Sequence, residues 1–248
     1  MNAITVCLDY SDYLKAVLSE NATRFEKVLV VTALQDVETI KIVQGVENAW
    51  LWVTDAFTRD GAMFNKGLAL EEGLRLLKPT GWTVIFDADT LMPDAMDFSQ
   101  IEPGNLYSPY RRLLAAASLL IDAPRWEKLE DGPEKRTGEF AGYFFLFHAE
   151  DPVLKNRPWY PTQWTHAGGS DTEFAEKWPS ERRKRLPFEV LHMGPLGQNW
   201  CGRHTEMADG QTPAMADQRR RAIQEMRGLR EQHGYAKEKL GGELSSNG

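Results

Sequence analysis

The sequence predicts an α/β fold, a single domain on a mainly parallel sheet flanked by helices, with a less regular second half and a closing helix. Two observations carry this. Short apolar, β-rich runs alternate with stretches of helical spacing as far as Phe86. A chain of 248 residues, 42% hydrophobic and 26% charged, can also bury a sizeable core.

Ile4 to Leu8 is the first apolar run, Tyr13 to Ser19 has helical spacing, and Val28 to Thr32 reads as a second buried strand, so the chain opens β-α-β. A helical stretch from Val37 leads to the apolar run Ala49 to Val53. After a loop, Met63 to Leu77 carries Leu68, Leu70, Leu74 and Leu77 at roughly helical spacing. Pro79-Thr80-Gly81 stops that helix, and Trp82 to Phe86 runs as an apolar strand into Asp87. In parallel sheets ligands sit at the carboxyl ends of the strands, so Asp9, Thr32 and Asp87 are expected to share a cleft.

In the second half, Leu106 to Tyr110 and Phe140 to Phe147 read as strands, and the polar stretch Asp122 to Gly138 between them as a mobile loop. A helix from Asp171 to Trp178, a strand from Phe188 to His192, a glycine-containing turn through Gly202 and a long charged helix from Met215 to Leu240 follow. The domain thus divides into residues 1–98, 99–213 and the closing helix 214–240, and the Gly/Ser-rich tail 241–248 is expected to be disordered.

No run approaches the roughly 18 apolar residues of a membrane span, and no basic segment precedes a hydrophobic one at the start. The expectation is a cytoplasmic protein without integral membrane association. Cys7 and Cys201 are too few for a disulfide framework or a zinc cluster and read as reduced thiols. A net charge of −7 argues against general affinity for polyanions, although Arg182-Arg183-Lys184-Arg185 and Arg219-Arg220-Arg221 are local basic runs.

Asp87 and Asp89 stand two positions apart at a strand end, so their carboxylates point to one side while the chain stays extended. Such a pair suits Mn²⁺ or Mg²⁺, which prefer carboxylate oxygen and leave positions open for phosphates. An Asp-x-Asp is also a common turn or helix cap after a strand, so its context matters.

That context resembles the glycosyltransferases of the GT-A fold, a Rossmann-like class, in particular the family-2-like and galactosyltransferase-like groups. Three blocks carry the resemblance: Phe64-Asn65-Lys66-Gly67-Leu68-Ala69-Leu70, Val84-Ile85-Phe86-Asp87-Ala88-Asp89, and Gly168-Gly169-Ser170-Asp171-Thr172-Glu173-Phe174. With the opening β-α-β unit it covers roughly residues 3 to 205. It implies a UDP-sugar donor, a Mn²⁺ or Mg²⁺ held by Asp87 and Asp89, and Asp171, or the nearby Glu173, as the base for an acceptor hydroxyl. His192 falls where several such enzymes carry a histidine that completes the metal site. His148, His166, His204 and His233 are weaker candidates, with His166 beside the Gly-Gly turn. Asp171 has a structural alternative as a helix cap, because Ser170-Asp171-Thr172-Glu173 precedes an apolar stretch.

Donor recognition is expected from Asp9 and Tyr10 at the first strand end, with Asp36 as a weaker candidate. Leu8-Asp9-Tyr10 departs from the usual sequence of the family there. Arg59 and Lys66 carry fixed positive charge suited to a diphosphate, and Arg203 could reach it from a lid formed by Asn199 to Arg203. Trp159, Trp164, Trp178 and Trp200 suit sugar stacking or, more ordinarily, core packing. The acceptor is expected to be a glycan or a small molecule. Bacteriophage enzymes of this type that glucosylate hydroxymethylated pyrimidines in DNA keep modified DNA open. A nucleotidyltransferase and a nucleotide-sugar-binding protein without catalysis are the competing classes.

Overall fold

The apolar runs of the first half become strands close to their expected bounds. The computed structural model describes residues 1–114, 126–166 and 168–194. In chain order these form β1 (Asn2–Val6), α1 (Ser11–Ala22), β2 (Lys27–Thr32), α2 (Val37–Gln44), β3 (Ala49–Val53), α3 (Lys66–Leu77), β4 (Trp82–Phe86) and β5 (Thr90–Leu91). There follow β6 (Leu106–Leu114), β7 (Glu130–Asp131), α4 (Glu134–Thr137), β8 (Phe144–His148), α5 (Ser170–Ala175) and β9 (Arg183–Met193). The expected Gly202 turn, the helix 215–240, the tail, Cys201, the Arg219 run, Trp200, Arg203, His204 and His233 lie outside the described residues.

One sheet runs β3-β2-β1-β4-β8-β6-β9-β5, with β7 added on β6. The β3-β2-β1-β4 portion is parallel and Rossmann-like. Beyond it the sheet is mixed: β4 pairs β8 and β8 pairs β6 antiparallel, β6 pairs β9 parallel, and β9 pairs β5 antiparallel. The parallel portion is flanked on both faces, which explains why its central strands read as continuous apolar runs. Within β2 the alternation is still visible: Val28 and Val30 join Leu14, Val17, Leu18 and Val84 on one face. Leu29 and Val31 join Ala69, Leu70, Leu74 and Ile85 on the other. Strand β3 is the edge, and Trp50 on it is 54% exposed.

Two expectations of the second half are corrected. The described residues of the stretch read as a loop, from 126 onward, carry β7 and α4 folded onto β6. The reason is Glu134, whose buried carboxylate accepts from the Arg111 backbone N–H (3.2 Å), Arg111 Nε (3.2 Å) and Tyr143 Oη (3.3 Å). Strand β9 is also longer than its apolar run, because it continues past Pro187 where its pairing with β6 shifts register between Ser108 and Tyr110. Among the described residues no helix is long and apolar enough to cross a membrane.

Candidate active site

Strand β4 ends at Phe86, and the next three residues turn the chain into β5. The Asp87 N–H donates to Tyr143 O (3.1 Å) and the Thr90 N–H to Asp87 O (3.0 Å). Strand β5 pairs with β9 so that Thr90 faces His192, and the Met193 N–H donates to Asp89 O (2.9 Å). From α1, Asn21 Nδ2 donates to Thr90 O (2.8 Å) and Asn21 Oδ1 accepts from the Met92 N–H (2.9 Å). These bonds bring Asp87, Asp89 and His192 together, one ligand atom from each lying within 4.8 Å of the others.

Asp89 and His192 are buried and Asp87 is half-buried. His192 Nε2 is 3.5 Å from Asp89 Oδ1, while the buried Nδ1 has no hydrogen-bond partner among the described residues. Burial, and next the charge of Arg111, lowers the His192 pKa to about 4, so at neutral pH the imidazole is uncharged and can give a lone pair to a cation. Burial also raises the Asp87 carboxyl above its usual range; Lys66 opposes this while Asp89 and Asp171 reinforce it. Two carboxylates and a neutral imidazole form a donor set for Mn²⁺ or Mg²⁺. A six-coordinate ion about 2.1 Å from its ligands spaces them roughly 3 to 4 Å apart, within reach of this cluster.

Lys66 joins this group to Asp171. Its Nζ lies 2.7 Å from Asp87 Oδ1 and 3.1 Å from the Asp171 carboxylate. Burial disfavours the ammonium charge, but the Asp171 and Asp87 carboxylates outweigh burial and raise its pKa, so Lys66 stays protonated. Lys66 opens α3, where Asn65 Oδ1 caps the Leu68 N–H (2.8 Å) and Asn65 Nδ2 donates to Thr162 O (2.9 Å). Gly67 is needed beside it, because a Cβ there would stand 1.8 Å from Pro161 O. Asp171 is the second residue of α5 and does not cap that helix, whose N-cap is Gly169. Its carboxylate instead accepts from Lys66 and from the Tyr160 hydroxyl. Gly142 leaves room for it, since a Cβ would fall 1.9 Å from Asp171 Cγ.

The remaining expected residues have varied surroundings. Asp9 is exposed with φ +60°, and its N–H donates to Asp36 Oδ2 (2.9 Å). Asp36 caps α2 through the Thr39 N–H (3.1 Å) and accepts from Thr32 Oγ1 (3.4 Å), so it ties the ends of β1, β2 and α2. Tyr10 is buried with its ring 5.6 Å from that of Tyr13. Arg59 belongs to a different group, paired with Asp55 and Glu72. Glu173 accepts from Gln163 Nε2 (2.6 Å) and Trp164 Nε1 (2.8 Å), fastening the chain before α5. His166 is buried against Trp164, and His148 lies edge-on to Trp82. Trp164 and Trp178 are core residues, while Trp159 lies under the Arg157 guanidinium at 3.6 Å.

Four contributors had no local signal. Tyr160 holds Asp171. Glu71, buried in α3, accepts from the Trp159 N–H (2.9 Å), the Tyr160 N–H (3.2 Å) and Arg157 Nη1 (3.2 Å), which fixes the segment carrying Tyr160. Tyr143 lies edge-on to His192 with ring centroids 6.2 Å apart, and the Arg111 guanidinium stacks over the Tyr143 ring at 4.4 Å.

No protein-family model and no curated protein matches the sequence. Similar solved structures include a mycobacterial protein, at 12% identity over 92% of this chain and 74% of that one, with a TM-score of 0.49. Glucosyl-3-phosphoglycerate synthase from Mycobacterium tuberculosis, solved with Mn²⁺, UDP and glucosyl-3-phosphoglycerate, is similar at 13% identity over 92% of this chain and 79% of that one, TM-score 0.49. A 4-diphosphocytidyl-2C-methyl-D-erythritol synthase from Anaerococcus prevotii is similar at 11% identity over 90% of this chain and 97% of that one, TM-score 0.40. Likeness at this level concerns the general course of the chain, and the functional reading stands on the residues of the site.

Proposed function

We propose that this chain is a metal-dependent glycosyltransferase of the GT-A type that moves a sugar from a UDP-sugar to an acceptor hydroxyl, working in the cytoplasm on a glycan or a small molecule. The observation that carries this is the continuity of the site: a cation-binding trio and a separately anchored carboxylate, Asp171, meet through Lys66 at the carboxyl edge of the sheet.

Asp87, Asp89 and His192 would hold Mn²⁺ or Mg²⁺, which supplies positive charge where a diphosphate leaves. Lys66 adds a fixed ammonium beside it. Asp171 is the base that accepts the proton of the acceptor hydroxyl, and Tyr160, Lys66 and the space at Gly142 orient it. Asp171 is preferred over Glu173 because the Glu173 carboxylate is committed to Gln163 and Trp164. One base and a single displacement correspond to inversion at the anomeric carbon. Asp9 serves the nucleoside from the end of β1, and Asp36 acts by holding the Asp9 backbone.

Modified DNA is the weaker acceptor, since the net charge is −7 and three of the four residues of the first basic run are tethered to backbone carbonyls of the fold, with Arg182 and Lys184 exposed. Arg182 donates to Gly104 O, Arg183 to Trp178 O, and Arg185 to Pro109 O and Glu139 O. The experiment is UDP release from a panel of UDP-sugars with and without Mn²⁺, for wild type and Asp89→Ala. Mn²⁺-dependent release, lost in the variant, is expected. Absence of UDP binding by calorimetry in the presence of Mn²⁺ would refute the reading.

A further inference from the structure

A cation already stands in this site. The Lys66 side chain is only 6% exposed, and its ammonium contacts the Asp87 carboxylate of the metal trio and the Asp171 carboxylate together. Its position is built in. The Lys66 N–H donates to Phe64 O (2.9 Å), Asn65 caps the helix, and the neighbouring Gly67 packs on the Pro161 carbonyl.

Two effects of the ammonium oppose each other. It orients Asp87, which would help a metal bind, and it repels a divalent ion arriving at the same carboxylate. Repulsion wins, because it scales with the double charge of the ion in a buried setting. Orientation, in contrast, is also supplied by the backbone bonds from Asp87 N–H to Tyr143 O and from Thr90 N–H to Asp87 O. A nucleoside diphosphate offers oxygens that can take the ammonium in exchange.

We propose that Lys66 is an internal counter-ion that withholds Asp87 from the metal until a nucleoside diphosphate takes the ammonium, so that metal and donor load together. This rests on the metal centre put forward under Proposed function. The test is Mn²⁺ binding by the full chain, read by electron paramagnetic resonance and calorimetry with and without UDP, for wild type, Lys66→Met, Lys66→Gln, Lys66→Arg and Asp89→Ala. Without UDP, the two neutral variants are expected to bind Mn²⁺ roughly tenfold more tightly than wild type, and the Arg variant close to wild type. The tightening that UDP gives wild type shrinks in the neutral variants. Folded neutral variants that bind Mn²⁺ no more tightly than wild type, or an undiminished effect of UDP, overturn the proposal. Lys66→Gln keeps a hydrogen-bond donor for Asp171 and carries the test if Lys66→Met does not fold. Wild type that binds no Mn²⁺ even with UDP present, or Asp89→Ala that binds it as well as wild type does, overturns the metal centre itself, so the two failures are distinct.

Discussion

Replacing Glu71 by Ala isolates the bond network that seats Tyr160 beside Asp171. The Glu71 carboxylate is the acceptor for two backbone N–H groups, of Trp159 and Tyr160, and pairs with Arg157 and Arg75. The Arg75 side chain is 57% exposed and that of Arg157 is 26% exposed, so both guanidinium groups can return to water and add little. The cost falls on the two N–H groups, at about 1.5 kcal/mol each for bonds to a charged acceptor, or about 3 kcal/mol together. For a chain of this size that lowers Tm by roughly 6 to 12 °C. Glu71→Gln keeps an oxygen for both N–H groups and should cost about 1 kcal/mol. Urea unfolding followed by tryptophan fluorescence measures both. A loss below about 1 kcal/mol for the Ala variant, or equal losses for Ala and Gln, would refute the assignment of the energy to the backbone donors. The same segment carries Tyr160, so Glu71→Ala should also slow sugar transfer while leaving Mn²⁺ binding intact.

Three further outcomes follow from the geometry. In metal-free protein His192 takes a proton near pH 4, against 6.5 for the ordinary group, so between these values the unfolded chain binds the proton first. Stability is then complete above about 6.5 and falls as pH is lowered toward 4, by up to ~3 kcal/mol, and His192→Gln removes that slope. Asp87, raised rather than lowered, contributes with the opposite sign, so the difference between wild type and variant is the quantity to read in stepped-pH denaturation; identical profiles would refute it. Gly67→Ala puts a methyl group 1.8 Å from Pro161 O and must push the α3 and Pro161 backbones away from each other. It should destabilise by about 3 kcal/mol in thermal unfolding, and an unchanged Tm would show that the contact relaxes freely. Tyr160→Phe keeps the ring stacked 4.6 Å from Phe174 but removes the hydroxyl on Asp171. It should lower kcat roughly tenfold with donor KM unchanged, and an unchanged kcat would remove Tyr160 from the site.

What was legible in the sequence is what depends on near neighbours. The bounds of β3 and β4 follow from apolar runs closed by turn residues, and the Asp-x-Asp follows from its place after such a run. The capping pattern Ser170-Asp171-Thr172-Glu173 also reads locally, and there it misleads. Asp171 leaves the cap for a lysine 105 positions back, because a buried ammonium between carboxylates outweighs one exposed helix N–H. Glu134 fails for the same kind of reason: the polarity of its stretch suggested irregular chain, while Arg111 supplies a partner that no window contains. The residues that meet at the Asp87–Asp89 turn come from both sides of residue 98, His192 from the second half and Lys66 from the first. His192 is held on β9 by the ladder with β6, where it pairs with Leu113, whereas the β5 segment beside Asp89 joins β9 through only two residue pairs. So short a ladder cannot fix the Asp89 turn by itself. The brace is Asn21, whose amide reaches 69 positions along the chain to Thr90 and 71 to Met92, so a helix that contributes none of the trio helps to set where Asp89 stands.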